Sequence, residues 1–115
     1  MAEGFARFLA PSNFAIYSAG SQPGSLNPLA VRAMKEVGID ISGQVPKSLA
    51  DVPIKRVATI ITLCSTEECP ELPNDVLHVH CPLPDPAAFM GSEDDAIYVF
   101  REVRNSIREL VSRIF

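Results

Sequence analysis

Basic residues in this sequence are too few and too scattered to suggest a nucleic-acid partner. Ten lysines and arginines face fourteen aspartates and glutamates, for a net charge of −4, and they form no cluster or stripe. Apolar runs are too short to span a bilayer, which argues against a membrane protein. The N-terminal Met-Ala-Glu-Gly lacks the positive and long apolar regions of a secretory signal. Cysteine is sparse and odd in number, with three residues. That fits poorly with a secreted disulfide framework and makes the cytoplasm the expected compartment. Repeats and low-complexity segments are absent.

What is present is the balance of a globular domain. The 115 residues are 47% hydrophobic and 21% charged, enough to bury a core without staples. One domain over residues 1–115 is expected. Ten prolines fall mostly between candidate elements.

Hydrophobic spacing gives the order of those elements. Residues 1–10 read as a helix, with Phe5, Phe8 and Leu9 on one face and Pro11 ending the run. Residues 14–18 read as a short buried strand. A turn-rich stretch from Gly20 to Gly24 leads to Asn27-Pro28, a cap followed by a proline suited to the first helical position. Leu29, Ala30, Ala33, Met34 and Val37 make that helix's apolar face, and Gly38 stops it. Residues 57–63 form a β-branched, continuously apolar run of the kind found in covered parallel strands, and Val76–His80 is a shorter strand. A last helix starts at Ser92, with Asp95 three residues on. Its apolar face holds Ala96, Ile97, Phe100, Val103, Ile107, Leu110, Val111 and Ile114. The resulting order, α-β-α-β-β-α, predicts an α/β fold with a parallel sheet and helices on both faces.

Three groups of residues could do chemistry. Cys64 follows the strongest strand, at the carboxyl edge where open α/β sheets bind ligands, and Cys69 lies in the next few residues. Two sulfurs so spaced could meet if the loop bends, as a redox pair would need. The plainer reading is a strand-end cysteine and an incidental loop cysteine, and the acidic Glu67 and Glu68 work against a strongly activated thiolate. A zinc site is disfavoured, because Cys64, Cys69, His78, His80 and Cys81 lack the paired spacing of structural zinc ligands. Asp85, between two prolines, has the restricted backbone that suits a general acid; the plainer reading is an Asp-Pro turn. His78 and His80 share one face of a strand, most simply a solvated one. No cofactor and no metal are expected.

In sequence order the chain shows MAEGFAR, YSAG, NPLAVRAMKEVGIDISGQ, ITLC with a second Cys-Pro after it, LPDPA and an amphipathic C-terminal helix. This series resembles the arsenate reductases built on the low-molecular-weight tyrosine phosphatase fold, along essentially the whole chain. The resemblance implies a three-layer, phosphotyrosine protein phosphatase I-like sheet. It implies a C-x5-R loop just ahead of the MAEG helix, whose cysteine attacks a bound arsenate or phosphate-like oxyanion. It assigns the second cysteine of a thiol cascade to Cys64, the third to Cys69 and the general acid to Asp85, with thioredoxin or a similar thiol as reductant.

No C-x5-R occurs in the 115 residues. The expectation is therefore an N-terminally incomplete domain that lacks its first central strand and is inactive alone. An open slot in the sheet would favour a dimer or strand exchange between chains. Two other functions fit the same residues: a non-catalytic relic or interaction module, and a low-molecular-weight tyrosine phosphatase. Phosphatase chemistry needs no resolving thiols, so Cys64 and Cys69 weigh against the last.

Overall fold

The computed structural model describes residues 1–20, 24–63 and 76–115, with Ile54 described for its backbone alone. Helix α1 (Ala2–Leu9) is followed by α2 (Pro28–Lys35), strands β1 (Thr59–Thr62) and β2 (Leu77–His80), and the 22-residue α3 (Glu93–Ile114). Short 3-10 turns occupy Leu49–Asp51, Ile54–Arg56 and Pro86–Ala88.

Each helix begins or ends where its sequence dictates. Asn27 caps α2, its Oδ1 accepting from the Leu29 amide at 2.8 Å, with Pro28 in the first turn. These satisfy or remove amides that a helix start leaves unpaired. Gly38 ends the same helix at φ 82°, a conformation that residues with a Cβ avoid. Its amide and those of Val37 and Ile39 close onto the carbonyls of Lys35 and Met34. Ser92 caps α3, its Oγ accepting from the Asp95 amide at 3.2 Å, and three acidic residues follow in the first turn.

The helices meet through the faces their periodicity sets out. Phe5 of α1, Ala30, Ala33 and Met34 of α2, and Ile97, Phe100, Val103, Ile107 and Val111 of α3 form one buried cluster with Ile41. On the predicted face of α2, Ala30, Ala33 and Met34 are core, with Leu29 and Val37 half-buried against it; on that of α3, Ile97, Phe100, Val103, Ile107 and Val111 are core, while Ala96 and Leu110 are half-buried outside the cluster and Ile114 is exposed. Of the face expected for α1, only Phe5 is core; Phe8 and Leu9 are exposed. Gly4 is buried where α1 crosses this cluster: a Cβ there would lie 2.7 Å from Ile41 Cγ2 and 3.2 Å from Met34 Cε. The close approach of α1 depends on that missing carbon.

Strands β1 and β2 pair in parallel, with Ile60 opposite His78 and Thr62 opposite His80. The predicted strand over 57–63 is real but shorter. The strand expected over 14–18 is not formed. Phe14 and Tyr17 are exposed, and the Ile16 carbonyl accepts from the Arg7 guanidinium at 2.8 Å rather than from a neighbouring strand. Pairing begins only at Gly20, whose amide donates to the Lys47 carbonyl in an isolated parallel bridge with Ser48. An apolar run becomes a strand only when a partner takes up its backbone groups, and among the described residues none lies beside 14–18. No helix among the described residues is long and apolar enough to cross a membrane.

Candidate functional site

Thr62, His78, His80 and Cys81 come together toward the carboxyl ends of β1 and β2. After β2 the chain stays tied to the end of β1: the Cys81 amide donates to the Thr62 carbonyl at 2.9 Å, and the Leu83 amide to the Leu63 carbonyl at 3.0 Å. This ladder brings the segment that leads to Asp85 alongside the residues that lead into Cys64. Cys64 and Cys69 themselves lie outside the described residues. Cys81 is half-buried and a free thiol.

Asp85 is exposed, and its Oδ1 accepts from the Ala87 amide at 3.0 Å, capping the 3-10 turn Pro86–Ala88. The Asp-Pro turn inferred as the plainer reading is thus present. Among the described residues the other carboxylate oxygen has no partner, and the turn itself holds the carboxyl in place.

His78 and His80 do share one face, and they share a partner too. Thr62 Oγ1 lies 2.9 Å from His78 Nε2 and 2.6 Å from His80 Nδ1. Thr62 is buried, whereas both histidines are exposed. Sequence spacing shows the shared face of the two rings but not the threonine on the neighbouring strand, because the register between β1 and β2 is a long-range property.

A second polar centre escaped the sequence reading. Glu3, near the start of α1, is buried. Its carboxylate accepts from the Ser18 hydroxyl at 2.8 Å and lies 3.6 Å from Lys47 Nζ and 3.5 Å from Arg7 Nε. Burial works against its ionised form, but the Ser18 hydroxyl, Lys47 and Arg7 outweigh it and hold the carboxyl below its ordinary range. Only the Glu3–Arg7 spacing of four was legible in the sequence; Ser18 and Lys47 come from distant segments. The cluster fixes the start of α1 against the bridge between Gly20 and Ser48. A shallow open cleft lined by Ser18, Ala19, Gly20, Pro46 and Lys47 lies beside it. Among the described residues, no group of three or more His, Cys, Asp or Glu side chains is placed to hold a metal ion.

The described residues form an α/β domain in which the segment after β2 is held beside the end of β1 as far as Leu83. The family model of the low molecular weight phosphotyrosine protein phosphatases matches residues 1–115, and the chain belongs to that family. Within it, the chain is similar to the arsenate reductase of Bacillus subtilis (strain 168), 38% identical over 109 residues that cover 93% of this chain and 78% of that protein. It is similar to the arsenate reductase of Staphylococcus aureus (strain Newman), 39% identical over 110 residues covering 94% and 79%. Among solved structures, an arsenate reductase in the phosphate-binding state superposes with a TM-score of 0.81 at 31% identity, covering 98% of this chain and 83% of that one. One in the oxidised state gives 0.81 at 32%, covering 97% and 82%. The α/β, low-molecular-weight-phosphatase-like fold expected from the sequence is the fold of this chain.

Proposed function

We infer that this chain is the body of an arsenate reductase, which reduces arsenate to arsenite through a relay of cysteine thiols in the cytoplasm. The observation that supports it best is the match to arsenate reductases along nearly the whole chain. The domain spans residues 1–115, and the C-x5-R loop that the chemistry also needs is not among them.

The chemistry assigned to each residue follows from its type. The thiolate of the C-x5-R loop attacks the arsenic of bound arsenate, and Asp85 gives a proton to the departing oxygen. The Cys64 thiolate then attacks that cysteine's sulfur. The sulfur–arsenic bond breaks with its electron pair going to arsenic, which leaves as arsenite, and the two thiols become a disulfide. Cys69 attacks Cys64, frees the first cysteine and leaves a Cys64–Cys69 disulfide. A dithiol reductant such as thioredoxin returns that disulfide to thiols.

A second reading comes from the family description itself, which is that of a phosphatase. A phosphatase would need the oxyanion loop and Asp85 but neither Cys64 nor Cys69. One experiment separates the two. With the C-x5-R loop supplied ahead of α1, arsenite production and phosphate-ester hydrolysis are measured in Cys64→Ser and Cys69→Ser. Arsenate reduction should be lost in both and any ester hydrolysis retained. Unchanged arsenate turnover in either variant would overturn the relay.

A further inference from the structure

Strand β2 has little to hold it in place. All four of its residues are exposed, and among the described residues its sheet has only one other strand. A two-stranded ladder is marginal in water on its own. Beyond the ladder, β2 is fastened at one oxygen. Thr62 Oγ1, on the last residue of β1, lies 2.9 Å from His78 Nε2 and 2.6 Å from His80 Nδ1. Thr62 is buried while both rings are exposed. A buried hydroxyl without partners is costly, and this one finds them only in the two rings. With one hydrogen to give and two lone pairs to offer, it can serve both at once.

The contact is specific for register. His78 and His80 alternate along β2 and leave it on one side, with Thr62 beside His80. A slip of β2 by one residue would turn both rings to the other face. It would bring Val79 or Cys81 beside Thr62 and leave the hydroxyl unpaired. The register also reaches past the strand. The Cys81 amide donates to the Thr62 carbonyl and the Leu83 amide to the Leu63 carbonyl, while Leu83 packs against the helix cluster. Pro82 and Pro84 alternate with these residues, and each has a locked φ. Little slack therefore separates β2 from Asp85, and a shift of the strand passes to the Asp-Pro turn.

We propose that Thr62, His78 and His80 form a positioning clasp, which keeps β2 in register so that Asp85 stands at one place beyond the end of β1. The three act through Asp85 and not on the substrate. This rests on the reading of Asp85 as the general acid, and the test keeps the two apart.

In the 115-residue chain, hydrogen exchange at the Cys81 and Leu83 amides is followed by NMR in the parent, Thr62→Val and Thr62→Ser. Valine keeps the shape without the hydroxyl, and the exposed rings turn to water, so Thr62→Val should melt close to the parent. Its Cys81 and Leu83 amides should exchange faster while those of α3 keep the parental rates, and serine should restore protection. The double variant His78→Ala/His80→Ala, confined to exposed residues, should reproduce the valine result. With the C-x5-R loop supplied ahead of α1, kcat and KM for arsenate are measured in the same variants, with and without Asp85→Asn. A misplacement of about 1 Å can cost on the order of 100-fold in rate, so Thr62→Val should lose about 10- to 100-fold in kcat. KM should change little, serine should restore the rate, and valine should add no loss to Asp85→Asn. Unchanged exchange at both amides would overturn the clasp. A parental kcat in Thr62→Val, or a loss undiminished by Asp85→Asn, would overturn its action through Asp85. A parental rate in Asp85→Asn alone would instead remove the acid assignment, and the clasp would then stand or fall on the exchange rates.

Discussion

Glu36, the residue that closes α2, accepts a two-pronged hydrogen bond from Arg101 of α3: Nε to Oε1 at 2.9 Å and Nη2 to Oε2 at 2.6 Å. Arg104, one turn further on and buried, adds Nη1 to Oε1 at 2.9 Å and also donates to the Ala33 carbonyl. One carboxylate thus joins the end of α2 to two successive turns of α3. The fork geometry of arginine suits this, where a lysine would make a single contact. The hydrogen bonds from Arg101, helped by those from Arg104, bring the Glu36 carboxyl down to about 2. A carboxyl lowered on folding contributes stability above its unfolded value and loses it as the pH falls through the folded one. Glu36→Gln should therefore melt below the parent at neutral pH, and the difference should close between about 4.5 and about 2. Melting curves across that range check it; a gap that persists near pH 2 would assign the effect to shape rather than charge.

The second prediction concerns Gly4. In an exposed helix, alanine in place of glycine would gain about 0.8–1.0 kcal/mol. Here the new Cβ would lie 2.7 Å from Ile41 Cγ2 and 3.2 Å from Met34 Cε. Both neighbours are fully buried, with little room to yield. Overpacking of this kind costs about 1–3 kcal/mol and should outweigh the helix gain. Gly4→Ala is expected to lower the melting temperature in the parent and to be neutral or stabilising in an Ile41→Ala background, where the obstructing methyl is gone. A double-mutant cycle by chemical unfolding measures the coupling.

What the sequence made legible was whatever depended on near neighbours. The Asn27-Pro28 start, the Gly38 stop, the Ser92 cap and the core stripes of α2 and α3 are set within a few residues, and each is where the pattern puts it. The strand expected over 14–18 does not form because an apolar run describes a segment's fitness for a sheet, not the presence of a partner. For the site, residue type was informative at Asp85, His78 and His80. The convergence of the two rings on Thr62, and of Ser18 and Lys47 on Glu3, needed the register and packing of segments far apart in the chain.

The third prediction addresses the thiols. In the proposed relay Cys64 and Cys69 end each turnover as a disulfide, while Cys81 has no part in it. Cys81 sits just past β2, its amide tied to Thr62 and its thiol free. Mild oxidation should therefore link Cys64 to Cys69 and leave Cys81 open to alkylation, as read by non-reducing peptide mapping. Cys69→Ser should abolish the bridge and leave the melting curve unchanged. A Cys64–Cys81 bridge in the parent would count against the relay.

The last prediction separates two roles of Asp85. Its Oδ1 caps the turn over Pro86–Ala88 by accepting from the Ala87 amide. Asparagine has the same carbonyl oxygen and can keep that bond, but it has no carboxyl proton to give. Alanine loses both. If Asp85 is only a turn residue, Asp85→Asn should be silent in stability and in turnover, and Asp85→Ala should cost about 1 kcal/mol, as lost caps do. If it is the general acid, Asp85→Asn should keep the stability of the parent and lose about 10²- to 10⁴-fold in turnover of arsenate. The measurement is the rate of arsenite release by the parent and by Asp85→Asn, each with the C-x5-R loop supplied ahead of α1, beside their melting temperatures. An unchanged rate would return Asp85 to its turn.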